Sequence, residues 1–294
     1  MTGAERGFLL LTSQLGNPER KPLTNAQLRV LTQRMKDHPA QPQLRELVWE
    51  DLACLGYGTE MAQRIISLLE QEQQLDWYLS KAQREGCVPI TRVSDGYPVQ
   101  LRQRLGGEAA GCLWAKGNLD LLSYRCISLV GSRDMRWENQ EFAAEAGKQA
   151  ARQGFVLVSG NARGADRTAQ DACLAEGGAV ICIVADELQS KEPNSRVLYL
   201  SEDGFDAPFS PQRALHRNHV IHAMGEKVLV AQSGLRMGGT WDGTVKNLRF
   251  GWSDVYCFRD GSEAADTLIQ MGAESVSVQQ LADLQGLPGK ISLF

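Results

Sequence analysis

From residue 87 onward short β-rich runs alternate with amphipathic segments, and no other feature of the sequence constrains its fold as strongly. The runs are Val88 to Val93, Leu113 to Lys116, Ile127 to Val130, Val156 to Val158, Val180 to Ala185, Val197 to Leu200, Val228 to Ala231 and Val255 to Phe258. Between them apolar residues recur at helical spacing over Trp137 to Gln153, Ala165 to Glu176, Pro211 to Met224, Gly239 to Phe250 and Ser262 to Met271. Strand, helix, strand in repetition predicts a Rossmann-like α/β fold: a mostly parallel sheet with helices on both faces.

Residues 1 to about 80 contain no convincing strand. Leu44, Leu47 and Val48, and again Ala62, Ile65, Ile66 and Leu69, have helical spacing. The chain therefore divides into a small all-helical unit of the helix-hairpin-helix or SAM-like type, residues 1–82, and a Rossmann-like unit, residues 83–290. In the first, Gly56-Tyr57-Gly58 precedes a helix starting near Thr59 and permits a tight turn. Such a turn can present amides to a phosphate; the lack of a basic residue inside the hairpin favours an ordinary helix-to-helix turn.

Composition narrows the function. A chain of 294 residues, 43% hydrophobic and 22% charged, is a folded binding module or enzyme. Its longest apolar stretches, such as Cys126 to Val130, are too short to cross a bilayer, and no secretory leader is legible, so a cytoplasmic protein is expected. Seven scattered cysteines without a C-x-x-C pair read as reduced core residues. With a net charge of −4, any nucleic-acid site must be a local patch. Arg133, Arg136, Lys148, Arg152, Arg163 and Arg167 supply a local basic excess.

Ligands of a doubly wound sheet sit beyond the carboxyl ends of its strands. Three segments there carry chemistry. Gly131-Ser132-Arg133 runs from a strand into a helix and combines close backbone approach, a hydroxyl and a guanidinium. Ser159-Gly160-Asn161-Ala162-Arg163-Gly164 forms a glycine-bracketed loop, followed by Asp166 in the first helical turn, which reads as tying the loop down. Neither a dinucleotide G-x-G-x-x-G nor a Walker lysine is present, so no cofactor is expected. The third segment contains His216, Arg217, Asn218, His219 and His222, then Arg236-Met237-Gly238-Gly239-Thr240. Its histidines do not share one helix face and have no acidic or cysteine partner within the segment, so no metal site is expected.

Gly131-Ser132-Arg133, Ser159-Gly160-x-Ala162-x-Gly164-x-Asp166, Gly177-Gly178 and Arg217-Asn218 resemble, in order and spacing, the core of the DNA-processing protein A (DprA/Smf) family. Tyr97-Pro98-x-x-Leu101, Leu113-x-x-x-Gly117 and Ala265-Asp266-x-Leu268-Ile269 extend the resemblance over about residues 87 to 285. It implies a non-catalytic protein that binds single-stranded DNA, forms a homodimer and hands DNA to the RecA recombinase during natural transformation or recombination. By position, Gly131, Ser132, Arg133, Ser159, Gly160, Arg163, Gly164, Arg217, Asn218, Gly239 and Thr240 would bind DNA phosphates, with Arg133, Arg163 and Arg217 converging from three loops and facing solvent.

The chain departs from the family at several points. Gln170 stands where a histidine is usual, His219 follows Arg217-Asn218 in place of an arginine, and the stretch from Ala185 to Arg196 lacks a Tyr-Pro. No C-terminal winged helix is expected. The alternatives are a divergent paralogue in phage defence, a sensor of nucleotide derivatives, a phosphoribohydrolase-like protein and a ligand-free scaffold. Against hydrolysis, Gly243 and Asn247 occupy the two registers where a phosphoribohydrolase loop needs its glutamate.

Overall fold

The computed structural model describes residues 1–36 and 43–289. Among these residues the first elements are the helices α1 (Gly3–Thr12), α2 (Asn25–Lys36), α3 (Trp49–Cys54), α4 (Thr59–Leu69) and α5 (Glu72–Arg84). There follow β1 (Val88–Thr91), α6 (Val99–Leu105), β2 (Cys112–Gly117), β3 (Cys126–Val130), α7 (Trp137–Arg152), β4 (Val156–Ser159), α8 (Ala165–Ala175), β5 (Ala179–Ile183) and β6 (Val197–Ser201). The chain continues through α9 (Pro211–Met224), β7 (Lys227–Val230), α10 (Gly238–Phe250), β8 (Asp254–Phe258), α11 (Glu263–Gln270) and β9 (Glu274–Val276).

Among the described residues nine strands form one sheet in the order β1-β2-β6-β5-β4-β3-β7-β8-β9. The strands from β6 to β9 along this order are parallel, while β2 runs antiparallel to β6 and β1 to β2. From β3 the chain steps outward through β4, β5 and β6, and α9 then carries it back to β7 on the other flank of β3. The order reverses between β3 and β7, and there a crevice opens at the carboxyl ends of the strands.

Both faces of the central strands are buried, hence their nearly unbroken apolar runs. Ile127, Leu129, Leu157 and Leu229 face one core with Phe142 and Ala146 of α7 and Ala169 of α8. Val130, Val158, Ile183 and Val230 face the other with Val220, Ile221 and Met224 of α9 and Leu268 of α11. The first core runs on without interruption into the N-terminal helices, through Trp114, Phe205, Tyr78, Leu75 and Leu9. Tyr78 meets Trp114 edge to face at 5.1 Å, and its hydroxyl donates to Asp206, which also pairs with Lys81 at 2.6 Å. Arg20 is buried and donates to the carbonyls of Leu10, Ser13 and Leu68, satisfying acceptors left open at the ends of α1 and α4. Burial lowers its pKa to about 10, still charged at neutral pH.

One expectation for the helical region changes. Leu44–Glu46 forms a single 3-10 turn, and Val48 is the exposed N-cap residue of α3, so the spacing of Leu44, Leu47 and Val48 does not mark a helix. The glycine turn between α3 and α4 forms, with Gly56 at φ +76°. Arg34 of α2 donates to the carbonyls of Leu55 and Gly56 and lies 4.5 Å from the Tyr57 ring centroid, so its cation is spent on the hairpin itself.

Helices α7 and α8 cross at Gly147, where a Cβ would run into the carbonyl of Ala169. Gly147→Ala gains about 1 kcal/mol of helix propensity, but the obstacle is backbone and cannot rotate away. A net destabilisation of about 1–3 kcal/mol is expected, read as a lower urea midpoint at unchanged m-value; a midpoint at or above wild type would contradict this packing.

Candidate phosphate-binding cleft

The passage after β3 is held to the loops on both sides of it. Gln232, beyond β7, accepts from the Ser132 amide at 3.0 Å through its carbonyl and from the Arg136 amide at 2.9 Å through its side chain. On the β4 side the Ala165 amide donates to the Ser132 carbonyl at 3.1 Å. Gly164, at φ +86°, allows this approach: a Cβ there would strike the carbonyls of Ser132 and Arg133.

Beneath this junction lies Arg217. It comes from the middle of α9 and its side chain is largely buried, donating to the carbonyls of Gly160 and Ile183 at 2.5 and 3.3 Å. Gly160 leaves the room, since a Cβ there would crowd the Arg217 guanidinium and the Asp166 carboxylate. Arg217 Nε is buried and without a partner among the described residues. Asp166 is buried and accepts from the Ala162 amide at 3.1 Å, so it does tie the β4 loop down. Burial raises its pKa to about 6, against the pull of Arg217, of the Ala162 and Gly160 amides, and of Arg133. Asn218 donates to the Gly239 carbonyl at 2.9 Å and fixes the start of α10.

Together these elements line a cleft of about 570 Å³ at the β3/β7 switch point. Its polar lining comprises Gly131, Ser132, Arg133, Asp166, Arg217, Asn218, Gly239 and Thr240; its apolar lining includes Phe209, Leu215 and Met237, all exposed. The first turn of α10 opens onto it and contains no acidic residue, so unpaired helix amides and the positive end of the helix dipole face the cavity. Such a site can hold an anion beside an apolar group.

Several expected site residues sit elsewhere. Ser159 is fully buried, outside the cleft lining, and its hydroxyl accepts from Gln170 at 2.5 Å, which braces the loop. Arg163 does not line the cleft: it lies on its outer rim, 76% exposed, paired with Asp134 at 2.6 Å. Gly160 and Gly164 shape the loop from below and behind. Arg217 is neither a loop residue nor solvent-facing. The local basic excess is also largely paired, because Arg136, Lys148, Arg152, Arg163 and Arg167 lie beside Asp260, Glu145, Glu176, Asp134 and Asp171, leaving Arg133 alone of the six without an ion pair among the described residues. Sequence reading missed Gln232 and the apolar rim. No spacing marks them, though Phe209 and Met237 each stand at the entrance to a helix beyond a strand.

The three histidines of α9 go separate ways. Glu202 accepts from His216 and raises its pKa to about 9; burial, then Lys246, lowers His219 to about 4; burial lowers His222 to about 3. Among the described residues no group of three His, Cys, Asp or Glu is arranged for a metal ion, and no helix is long and apolar enough to cross a membrane.

Fold and cleft define a Rossmann-like protein with a crevice at its switch point. Residues 89–284 match the family model described as DNA recombination-mediator protein A, and the chain belongs to that family. DNA processing protein DprA of Streptococcus pneumoniae is 31% identical over 204 residues, 64% of this chain and 70% of that protein. Protein Smf of Escherichia coli is 26% identical over 196 residues, 62% of this chain but only 51% of its own length. The X-ray structure of the pneumococcal protein superposes with a TM-score of 0.72 at 26% identity, covering 96% of this chain and 97% of that one. DNA processing protein A from Helicobacter pylori, whose structure is described for a unique single-stranded DNA binding mode, shares the fold at 17% identity, with a TM-score of 0.56 over 67% of this chain and 94% of that one.

The Asp166 carboxyl gives the cleft a pH signature. Its folded pKa lies above the usual aspartate value of 3.8, so the folded state holds the proton more tightly. This group's contribution to stability is full below pH 4 and is lost as pH rises to about 6 and beyond, by at most about 3 kcal/mol. Asp166→Asn should remove that dependence, so that wild type loses stability relative to the variant across this window in urea titrations; parallel curves would show that Asp166 is not the buried acid described.

Proposed function

We propose that the cleft binds single-stranded DNA and that the protein acts without catalysis, as a mediator of DNA processing and recombination. One observation carries this reading: Arg133, exposed and free of any described ion pair, stands at the mouth of a cleft that has helix amides on one side and Phe209, Leu215 and Met237 on the other. A phosphate suits the first group and an unstacked base the second. Double-stranded DNA hides its base faces, whereas an unstacked strand presents them to an apolar rim. The description of the Helicobacter protein and the name of the matching family support the same reading. We extend it to a homodimer that passes the bound strand to a RecA-type recombinase, a step that the words recombination mediator support.

Binding of fluorescent oligonucleotides tests the proposal. Single strands should bind in preference to duplex, with log affinity falling linearly against log salt at about 0.7 per phosphate contacted. Arg133→Ala should cost about 1–3 kcal/mol of affinity at unchanged stability, whereas Arg152→Ala, whose guanidinium pairs with Glu176 at the far end of α7, should change nothing. Arg217→Ala should lose both affinity and stability, because its hydrogen bonds support the β4 loop. Equal affinity for duplex, or an Arg133→Ala protein that binds like Arg152→Ala, would overturn the assignment. Preferential binding of free nucleotides would favour the sensor alternative.

A further inference from the structure

The cleft leaves one nearby feature unused. Trp137, the first residue of α7, is 71% exposed, and among the described residues no aromatic ring or cation packs on its indole. Leaving so large an apolar ring in water is unfavourable, and only the residues on either side can say what it is for.

The backbone that displays it is fixed. The Arg136 amide donates to Gln232, and the Arg136 guanidinium donates to the Asp260 carbonyl at 2.9 Å and pairs with its carboxylate at 2.6 Å. Asn139, fully buried one turn on, donates to the Ala231 carbonyl and to Asp260, both at 2.7 Å. An indole carried on so rigid a support loses little entropy when it acquires a partner.

The charges beside it point to the partner. The passage that ends at Trp137 begins with Gly131, Ser132 and Arg133, which line the cleft; between them Asp134 holds Arg163 from the β4 loop. With Arg163 76% and Asp134 88% exposed, this ion pair is weak, and a phosphate can take the place of the carboxylate. Met135 packs inward against the core, so the indole stands among charged groups and not within an apolar patch. Cation followed by isolated aromatic, outward from a phosphate-binding cleft, fits a nucleic-acid strand better than a protein surface.

We propose that a single strand longer than the cleft leaves it over the β3 loop, that a phosphate bridges to Arg163, and that a base stacks on Trp137. This rests on the cleft reading above, supplies the place for Arg163 that the cleft does not, and makes Trp137 a binding residue for which no motif exists in the sequence.

The test pairs oligonucleotide length with two variants of the full chain. Oligo(dT) of about four nucleotides should fill the cleft alone, and one of about twelve should reach the indole. Trp137→Ala should weaken binding of the longer strand about 5-fold or more, leave the shorter unchanged and keep the thermal midpoint. Trp137→Phe should retain most of the longer strand's affinity and lose most of the tryptophan fluorescence quenching it produces. If Trp137→Ala binds both lengths like wild type while Arg133→Ala binds both weakly, the outer step is wrong and the cleft stands. If Arg133→Ala also binds both like wild type, the cleft reading falls and takes the extension with it. If Trp137→Ala dissociates a dimer in sedimentation at unchanged DNA affinity, the indole is a contact between copies and the proposal is overturned.

Discussion

The close approach of the β3 and β4 loops is the constraint on which the rest of the site depends. Backbone meets backbone where the Ala165 amide reaches the Ser132 carbonyl, and only a glycine at position 164 permits it. That contact fixes where Arg133 leaves the surface. It also creates a buried space under Gly160 that must be filled by something able to satisfy carbonyls, and Arg217 fills it, with Asp166 as its nearby counter-charge. A buried arginine and a buried carboxylate are costly alone. Here each also bonds to backbone that would otherwise be unsatisfied, so the two charges act as the loop's internal scaffold.

This arrangement divides the basic residues by task. Arg217 supports the floor, Arg136 anchors the start of α7 to Asp260, and Arg152 and Arg167 serve surface pairs on α7 and α8. Arg133 stands at the cleft mouth without a described ion pair, and Arg163 pairs with the exposed Asp134. In a net-acidic chain this pairing leaves the exposed cation at the cleft mouth locally distinct from its basic neighbours.

The architecture was legible because parallel strands buried on both faces read as apolar runs and their helices keep a clear period; β3 to β8 lie within a residue or two of the runs that predicted them. The short edge strand β9, only three residues long and half polar in pattern, carried no such signal. In the site, Gly131, Ser132, Arg133, Gly239 and Thr240, which follow a strand or begin a helix, line the cleft, and so does Asn218, which the family resemblance indicated from within α9. Ser159 and Arg163 do not, because sequence order places a residue in a loop but does not say whether it points inward, as Ser159 does to Gln170, or out to the rim. Arg217 illustrates the same limit: its helix was predicted, but its burial depends on the absence of a side chain at Gly160, a contact made across 57 positions of chain.

Amide hydrogen exchange with and without a saturating single-stranded oligonucleotide tests the central claim, that the three loops act as one phosphate-binding unit. Residues 131–133, 162–166 and 238–240 should gain protection together when the strand is added, while the N-terminal helices and α11 stay unchanged. Protection confined to the N-terminal helices, or absent from these three segments while the strand is bound, would contradict the account.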